Sequence, residues 1–360
     1  MISKKIGSVV EIKQKDNNLE DILVNINGDI QKAYNYPKMT GSVSVEDEVL
    51  LNTTAVELSL GTGGYHYVIA NLNKLESDFT PGGHIMKLRY TPLQVKVDSV
   101  EEQESEYHDK IANFESLSGM PVVVGTLHSM LTPFVASYKR NNPSKKLVYI
   151  MTDGAALPIF LSKNVETLKE KGLIDSTITI GNAFGGDYEC INIYTALITT
   201  KEILKADVVF VSMGPGIAGT GTKYGFTGIE QGPILDAVYK LGGKPVAIPR
   251  ISFADKRERH QGISHHSLTV LDEIVNTRVT IPIIEYSDVR GDVIGKQIRN
   301  HRFYSKHDVA YIMFCNEDRA KGDLDFFDLK VKSMGRNYEE DREFFQSASA
   351  AAYYLTYEGM

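Results

Sequence analysis

The sequence predicts an α/β protein in two parts: a small β-rich, barrel-like N-terminal domain, then a Rossmann-like domain whose mostly parallel sheet carries helices on both faces. Two patterns lead to this prediction. Residues 1–97 contain short β-type runs, and residues 119–360 alternate apolar runs with helical stretches. The acidic, polar residues 98–118 predict a linker. A length of 360 residues also suits two domains better than a single core.

The first 97 residues are rich in Val, Ile, Leu, Tyr and Thr, with Gly, Asn and Asp between the runs. This composition is typical of strands separated by turns. Several short strands in so short a segment favour a small barrel or sandwich. The candidate strands are KIGSVVEIKQ, DILVNIN, EVLLNTTAVELSL, YHYVIANL and HIMKLRYTPLQVKV.

From Gly119 onward, strand-like and helix-like segments alternate. Strands that are apolar throughout and separated by helices are typical of a parallel sheet buried on both faces. The tail from NYEEDREFF to AAAYYL predicts a terminal helix. The apolar runs are PVVVGT, KLVYIM, TITIG, ADVVFVSM, KPVAIP, VTIPII and DVAYIMF.

The composition is that of an ordinary globular chain, with 42% hydrophobic and 24% charged residues and a formal charge of -7. A nucleic-acid-binding protein usually shows a basic face, so this charge disfavours that class. The N-terminus, MISKKIGSVVEIKQ, lacks the apolar run of a signal peptide. No window approaches the roughly 18–20 apolar residues of a membrane helix. We therefore expect a cytoplasmic protein without membrane association.

The two cysteines, Cys190 and Cys315, lie in neither a CxxC nor a zinc-type spacing. Both are flanked by apolar residues, so we expect thiols in the core. A reducing compartment agrees with this usage.

Functional residue types follow the predicted strands, where open α/β sheets bind ligands. Because the carboxyl ends of parallel strands share one edge, these residues predict a site there. The proposed catalytic residues are His260, His265, His266, Asp153 and Asp187. The proposed ligand-binding residues are His128, Gly185, Gly186, Gly214, Gly216, Gly219, Thr220, Thr222, Arg250, Arg257 and Arg259.

The segment GPGIAGTGT after the fourth strand formally matches G-x-G-x-x-G. A dinucleotide is disfavoured, because TGTKYGFTGIEQ delays the next helix and the following strand ends in Arg250 instead of an acid. Backbone N–H groups with the hydroxyls of Thr220 and Thr222 suit a phosphate or carboxylate better. The alternative is a glycine-rich loop that only turns a corner.

The segment RISFADKRERHQGISHHSLTVLDEIV is the most informative stretch. Ser264 is a candidate N-cap, which places His265 and His266 in the first helical turn. The positive end of the helix dipole favours neutral imidazole there, and neutral imidazole can act as a donor, a base or a metal ligand. Nearby arginines suit an anionic substrate. The alternative is a solvated charged loop with histidines that only begin a helix.

A metal site remains open at this stage, and the sequence identifies no cofactor. Donors are available in several loops, but neither H-x-x-x-H nor H-E-x-x-H occurs, and adjacent histidines on a helix point about 100° apart. A metal would need ligands from different loops. Serine-hydrolase and Walker-type readings are disfavoured, because neither G-x-S-x-G nor GxxxxGK[ST] is present.

Several motifs occur in one order: GTLHSM, DGAALP, GNAFGGDYEC, GPGIAGTGT, RERHQGISHH and a closing SMGR before FF. In this order they resemble the bacterial family labelled domain of unknown function 3866. The resemblance runs from about Gly119 to Phe345 and includes the β-rich start. It implies a bacterial, cytoplasmic, whole-chain family and no substrate.

Three functions follow as hypotheses. The first is an enzyme acting on a small phosphorylated or carboxylated metabolite, in which glycines, threonines and arginines hold the anion and a histidine moves a proton. The second is a ligand-binding or regulatory module with the same pocket and no acid–base pair. The third is a nucleic-acid-binding or scaffold role through the β-rich domain. We expect a small anionic molecule as partner, and α/β proteins of this class are often homodimers.

Overall fold

A computed structural model of the chain describes residues 1–61, 63–78, 82–313 and 318–357. The chain divides into two compact units, Met1–Lys96 and Val97–Met360. The first contains a closed five-stranded barrel, and the second contains an eight-stranded parallel sheet with helices. The predicted fold class is thus confirmed.

Five strands form the barrel in the order β1-β2-β3-β5-β4, and β1 closes it by pairing with β4. Only the β3–β5 pair is parallel. In β2 every second residue is buried, so that Ile22, Val24 and Ile26 fill the interior. The strands are β1 (Lys4–Lys15), β2 (Glu20–Ile26), β3 (Asp29–Asn35), β4 (Glu48–Asn52) and β5 (Tyr65–Asn71).

Two of the predicted strands in this unit are shorter than the sequence indicates. Thr54–Glu57, expected to continue a strand, forms a helical turn, because Leu58 N donates locally to Thr54 O instead of to a neighbouring strand. The last predicted strand is extended only at Ile85–Lys87 and Val95–Val97. A second helical turn covers Pro37–Thr40.

The large sheet belongs to the second unit, and all its paired strands are parallel. Its strands are β6 (Pro121–Val124), β7 (Leu147–Thr152), β8 (Ser176–Thr179), β9 (Tyr188–Glu189), β10 (Val208–Met213), β11 (Lys244–Ala247), β12 (Thr280–Ile284) and β13 (Asp308–Ile312). Their order across the sheet is β9-β8-β7-β10-β6-β11-β12-β13.

The helices of this unit connect the strands or follow them. The longer ones are α1 (Leu131–Asn141), α2 (Lys163–Glu170), α3 (Ile193–Glu202), α4 (Gln231–Lys240), α5 (His265–Thr269, continued by a π-helical turn Val270–Ile274), α6 (Val289–Asn300), α7 (Arg319–Phe326) and α8 (Arg342–Tyr357). Short helices cover His108–Ala112, Phe303–Lys306 and the 3₁₀ turns His128–Met130, Ile159–Leu161, Thr227–Glu230 and Glu258–His260. Short strands cover Ile251–Ser252, Gly262–Ile263, Lys332–Ser333 and Arg336–Asn337.

The central part of the sheet is buried on both faces, because alternate residues of β6, β7, β10 and β11 enter different cores. Val122 and Val124 of β6 belong to the core that includes α3 and α4. Val123 belongs to the core that includes α1, α2 and α8. This alternation explains why the strands read as continuous apolar runs.

The connections place a topological switch between β10 and β6. The chain leaves β6 through α1 toward β7, and it leaves β10 through α4 toward β11 on the other side of β6. These two helices pack on opposite faces of the sheet. Open α/β sheets bind ligands in the crevice that such a switch creates beyond the carboxyl ends of the strands.

Several local predictions can be compared directly with the structure. The terminal helix is confirmed as α8, and Cys190 is a fully buried core thiol as expected. Cys315 lies outside the described residues. Residues 98–118 belong to the second unit, where Ile111 and Leu117 are buried in the core.

Candidate functional site

Loops from neighbouring strands meet at the carboxyl edge around the switch. The loop after β10 contacts the loop after β7, where Ala156 N donates to Pro215 O at 3.0 Å. A methyl group on Gly214 would lie 2.4 Å from Ala156 O, so only glycine permits this approach. Gly228 approaches Thr126 O in the loop after β6. The edge is therefore a continuous assembly of loops.

Residues 218–227 after β10 form a small hairpin. Thr220 N donates to Gly225 O at 2.8 Å, and Thr227 N donates to Ala218 O at 2.9 Å. The hydroxyls of Thr220 and Thr222 lie 2.9 Å apart, and Gly225 N donates to Thr222 Oγ1. Both threonines are exposed, and in this state their hydroxyls brace the hairpin.

This hairpin reaches the histidine- and arginine-rich segment that follows β11. A methyl group on Gly219 would lie 3.5 Å from Cε1 of His266, and one on Gly221 would lie 3.7 Å from Nη1 of Arg259. Phe226, at the base of the hairpin, stacks on the His266 ring at 4.0 Å with an interplanar angle of 13°. The structure thus brings the glycine-rich loop together with Arg259 and His266. Gly216 lies in the exposed part of the loop with φ 112°.

Three histidines form one cluster beside this loop. The ring centroids of His265 and His266 lie 4.0 Å apart, and that of His260 lies 4.9 Å from His265 and 5.5 Å from His266. The two adjacent histidines do begin helix α5, as the sequence predicts. Their rings nevertheless converge, although ideal helical spacing would separate them. Ser264 does not cap the helix with its side chain, because its hydroxyl lies 2.8 Å from Nδ1 of His260.

The histidines are held in their neutral forms. Burial lowers the pKa of His260 to about 4, with Arg250 and Arg257 adding to the shift. Burial also lowers the pKa of His266 to about 3, reinforced by the neighbouring histidines and by Arg250. The pKa of His265 is lowered by burial and then by Arg259. Neutral imidazoles beside permanent cations can donate to an anion or accept a proton.

Polar atoms in this cluster lack partners within the described part of the chain. Nε2 of His265, Nε2 of His266 and Nη1 of Arg250 are buried without a hydrogen bond. The whole Arg250 residue is only 5% exposed. Buried polar groups are nearly always paired, so unpaired atoms in one cluster indicate where a ligand or ordered water binds.

The three arginines of this segment differ in their availability. Asp255 binds Arg257 through two hydrogen bonds, from Nε at 3.0 Å and from Nη2 at 2.8 Å, and it accepts a longer one from Nη2 of Arg250 at 3.4 Å. Arg259 is exposed, and among the described residues no carboxylate pairs with it. Arg259 is therefore the arginine most free to bind an anion. The sequence prediction gave Asp255 no role in the site, since the sequence does not show that this carboxylate is buried.

Asp153 lies at the same edge, on the side of β7. Its Oδ2 accepts from Asn182 N at 3.0 Å, and Gly181 leaves no room for a side chain against it. Its neighbour is Glu230, which accepts a hydrogen bond from Thr152 and packs against Gly154. Burial raises the pKa of Glu230 to about 7, and the charge of Asp153 adds to this. Sequence reasoning missed Glu230, because it stands in an unremarkable TGIEQ segment.

His128 lies in the protein interior beside the loop after β6. Its Nε2 is 2.6 Å from Ser162 Oγ, and its Nδ1 is 3.1 Å from the hydroxyl of Tyr149. Burial lowers its pKa to about 4. Both ring nitrogens thus have protein partners, and the structure does not bring His128 into the histidine cluster.

Asp187, Gly185 and Gly186 lie between β8 and β9, away from the histidines. Asp187 forms an ion pair with Lys169 and accepts from the backbone and hydroxyl of Thr177. At about 4.8 Å per strand, β8 and β11 are separated by roughly 19 Å across the sheet. Gly185 N and Gly186 N donate to Glu189 and Thr179 respectively. The structure therefore does not bring these three residues to the cluster.

A metal centre finds no support in the arrangement of the described residues. Among them, no group of three or more His, Cys, Asp or Glu side chains is placed to hold a metal ion. Likewise, no helix within the described ranges is both long and apolar enough to span a bilayer.

The fold and this edge define the class of the protein: a parallel α/β protein with a candidate polar site at its topological switch, preceded by a five-stranded barrel. The chain belongs to the family described as "Protein of unknown function (DUF3866)", which matches residues 32–352. The match begins in β3 of the barrel and ends in α8, so the resemblance read from the motifs is confirmed. A search of curated proteins found no match.

Proposed function

We propose that this protein is an enzyme acting on a small phosphorylated or carboxylated metabolite bound at the carboxyl edge of the sheet. The observation that carries the proposal is the contact of the glycine-rich hairpin with Arg259 and the histidine cluster, where buried nitrogens lack partners. Guanidinium and backbone N–H groups recognise such anions well. Neutral imidazoles at this position supply proton donors and acceptors.

The roles divide among the residues by their surroundings. Arg259 holds the anion together with the backbone of the hairpin, and Arg250 supplies a buried positive charge behind the histidines. Arg257 acts indirectly, because Asp255 already occupies its guanidinium. His265 and His266 donate to the bound ligand through Nε2 once it displaces the hairpin contacts. A cytoplasmic location is part of this proposal.

A thermal-shift panel tests the proposal. The panel contains inorganic phosphate, sugar phosphates, nucleotides, dinucleotides, short carboxylates and divalent metals. A ligand at 100 times its Kd should stabilise the wild type by about 2.7 kcal/mol, which is readable as several degrees. Arg259→Ala should abolish that shift because it removes the free guanidinium.

The matched control is Arg278→Ala, which changes another exposed arginine; it precedes β12 at the amino-terminal edge of the sheet and pairs with Asp308. It should retain the ligand-induced shift. Equal loss in both variants, or a shift untouched by Arg259→Ala, would contradict the assignment of the anion site. A ligand that stabilises the protein but is never converted would favour the ligand-binding module over the enzyme.

The barrel favours a second candidate function, binding of single-stranded nucleic acid. Its strand order and parallel β3–β5 pair match the five-stranded Greek-key barrels that bind oligonucleotides or oligosaccharides. Tyr34 and Tyr65 on these strands stack at 3.9 Å, and Nζ of Lys32 lies 5.2 Å from the Tyr65 ring centroid. Aromatic rings beside a cation suit base stacking. The acidic net charge of the chain speaks against it.

Titration with a short oligouridine, followed by tyrosine emission, tests this candidate. The chain has no tryptophan, so tyrosine emission is read directly. Tyr34→Ala should weaken binding by about 1–3 kcal/mol, and binding should fall as salt rises. Tyr239→Ala, an exposed tyrosine of the second unit, is the control. Absence of binding at low salt would remove this candidate.

A further inference from the structure

Glu230 lies at the carboxyl edge of the sheet, directly before helix α4. It ends the 3₁₀ turn Thr227–Glu230 that leads out of the glycine-rich hairpin. Its carboxylate accepts the hydroxyl of Thr152, the last residue of β7. A methyl group on Gly154 would lie 2.8 Å from Oε2 of Glu230, so the loop after β7 fits closely around this carboxyl group.

The groups around the Glu230 carboxyl do not balance a negative charge on it. Within the described part of the chain, no Lys, Arg or His nitrogen forms an ion pair with Glu230. The charged group that acts on it is Asp153, from the loop after β7, which opposes a second negative charge. Tyr149, from β7 itself, stays neutral because burial and the charge of Glu230 raise its pKa. A partly buried carboxylate in such surroundings costs stability, which is typical of groups kept for chemistry.

The position of Glu230 at the start of a helix would by itself predict an ionised carboxylate at neutral pH. A carboxylate at the first turn of a helix is normally stabilised by the helix dipole, which lowers its pKa. Here burial outweighs that effect and raises the pKa of Glu230 to about 7, although the Thr152 hydrogen bond acts in the other direction. Near neutral pH the group can therefore both give and take a proton.

The same loop connects Glu230 to the candidate anion site. Phe226, which stacks on His266, precedes Glu230 by four residues, and Ile229 N donates to Phe226 O at 3.3 Å. At about 2 Å of rise per residue in a 3₁₀ turn, the backbone positions of these two residues are roughly 8 Å apart. A role for Glu230 therefore requires a metabolite that extends from Arg259 and the histidines toward the loop after β7, which the Glu230 carboxyl group contacts.

We propose that Glu230 is a further proton-transfer group of this site, in addition to the histidines. The inference rests on the proposed function and deepens it. As a base, the carboxylate takes a proton from an O–H, N–H or activated C–H bond of the bound metabolite, whose bonding electron pair stays on the metabolite. The resulting carboxylic acid later returns that proton to the product. Asp153 acts through Glu230, because its negative charge opposes ionisation of the Glu230 carboxyl group.

The test is a pH titration of the side-chain carboxyl carbons by ¹³C NMR on the full chain labelled at glutamate. One glutamate should titrate near pH 7, and that signal should be absent in Glu230→Gln. Addition of inorganic phosphate should raise this titration point measurably, because the bound anion disfavours a nearby carboxylate. Glu170→Gln, an exposed glutamate of α2, is the matched control and should leave the signal and its response unchanged.

The outcomes separate the two proposals. If no glutamate titrates above about pH 6, the role of Glu230 is overturned while the anion site stands on its own test. The same holds if phosphate stabilises the protein thermally without moving the Glu230 titration. If phosphate and every other anion of the panel fail to stabilise the wild type, the anion site fails, and with it the coupling proposed for Glu230.

Discussion

We expect Asp255→Asn to destabilise the second unit by about 3–5 kcal/mol, the range for removing one partner of a buried ion pair. Asp255 is 5% exposed and accepts from both Arg250 and Arg257. Arg336 lies 4.0 Å away. Asparagine preserves the shape and removes the charge, which leaves the 5%-exposed Arg250 without a directly bonded carboxylate. The loss therefore reports an uncompensated buried cation instead of altered packing.

Thermal unfolding measures this effect. At about 2–4 °C per kcal/mol, a change of 3–5 kcal/mol corresponds to a fall in Tm of about 6–20 °C. Asp308→Asn is the matched control, because Asp308 forms an equally close arginine pair with Arg278 that is more than half exposed. Exposed pairs contribute about 0–1 kcal/mol. If the two variants unfold at the same temperature, Asp255 is not the buried counter-ion that the structure shows.

The loss of charge should also change the histidines. Asp255 raises the pKa of His260, whereas burial and the two arginines lower it. In Asp255→Asn the cationic field is less balanced, so the pKa of His260 should move further below its value of about 4. The variant should therefore keep the imidazole neutral to even lower pH, which ¹H–¹⁵N NMR of the ring can follow.

The second large effect is a loss of stability between about pH 6.5 and pH 4. The pKa values of His128 and His260 are lowered to about 4, and that of His266 to about 3. In this window the unfolded chain binds protons that the folded chain does not, so stability falls as pH falls. Each of these three histidines loses a little over two pKa units' worth of stability down to pH 4, and one unit corresponds to about 1.36 kcal/mol, so together they account for a loss on the order of 10 kcal/mol.

Glu230 acts in the opposite direction and reduces the net slope. Its pKa rises from 4.5 to about 7 on folding, so the folded chain binds the extra proton, and stability increases as pH falls from about 7 to 4.5. Burial also raises the pKa of Asp323 and of Asp341, which act in the same direction as Glu230. The large shifts of the three histidines outweigh these carboxyl groups, and we expect the net result to be destabilisation by acid. Asp255, whose pKa is lowered by its bond to Arg257, contributes only below about pH 4.

Two variants test this prediction, because they should change the fall in Tm with pH in opposite directions. His266→Phe keeps a ring against Phe226 but cannot bind a proton, so Tm should fall less between pH 7 and pH 4.5 than in the wild type. Glu230→Gln removes the opposing group, so Tm should fall more steeply. Both are measured by differential scanning calorimetry at a series of pH values. Identical slopes in all three proteins would mean that these groups titrate alike in the folded and unfolded chains.

The architecture was within reach of sequence reasoning because its signals are local and repeated. The apolar runs of β6, β7 and β10 predict strands buried on both faces, and each strand does supply both cores. The β-rich start predicted a small barrel or sandwich, and the five strands form a closed barrel. The strand prediction was wrong at Thr54–Glu57. There, β-type residues form a helical turn because their backbone hydrogen bonds are made within the turn.

The candidate site was only partly within reach. The rule that ligands bind beyond the carboxyl ends of parallel strands placed the hairpin after β10 and the segment after β11 on one edge. The rule could not predict which of the loops lie close together, because the distance between loops depends on the order of the strands in the sheet. β8 lies four strands from β11, which separates Asp187 from the histidines, although both follow apolar runs.

The sequence by itself determined the two-part organisation, the parallel sheet, the family and the start of α5 at two histidines, because periodicity and motif order are written along the chain. Only the tertiary structure decided that Phe226 stacks on His266, that Asp255 occupies Arg257 and leaves Arg259 free, and that Glu230 lies beside Asp153. Burial and the distances between charges set the pKa values and the availability of these groups, and both depend on which loops the fold brings together.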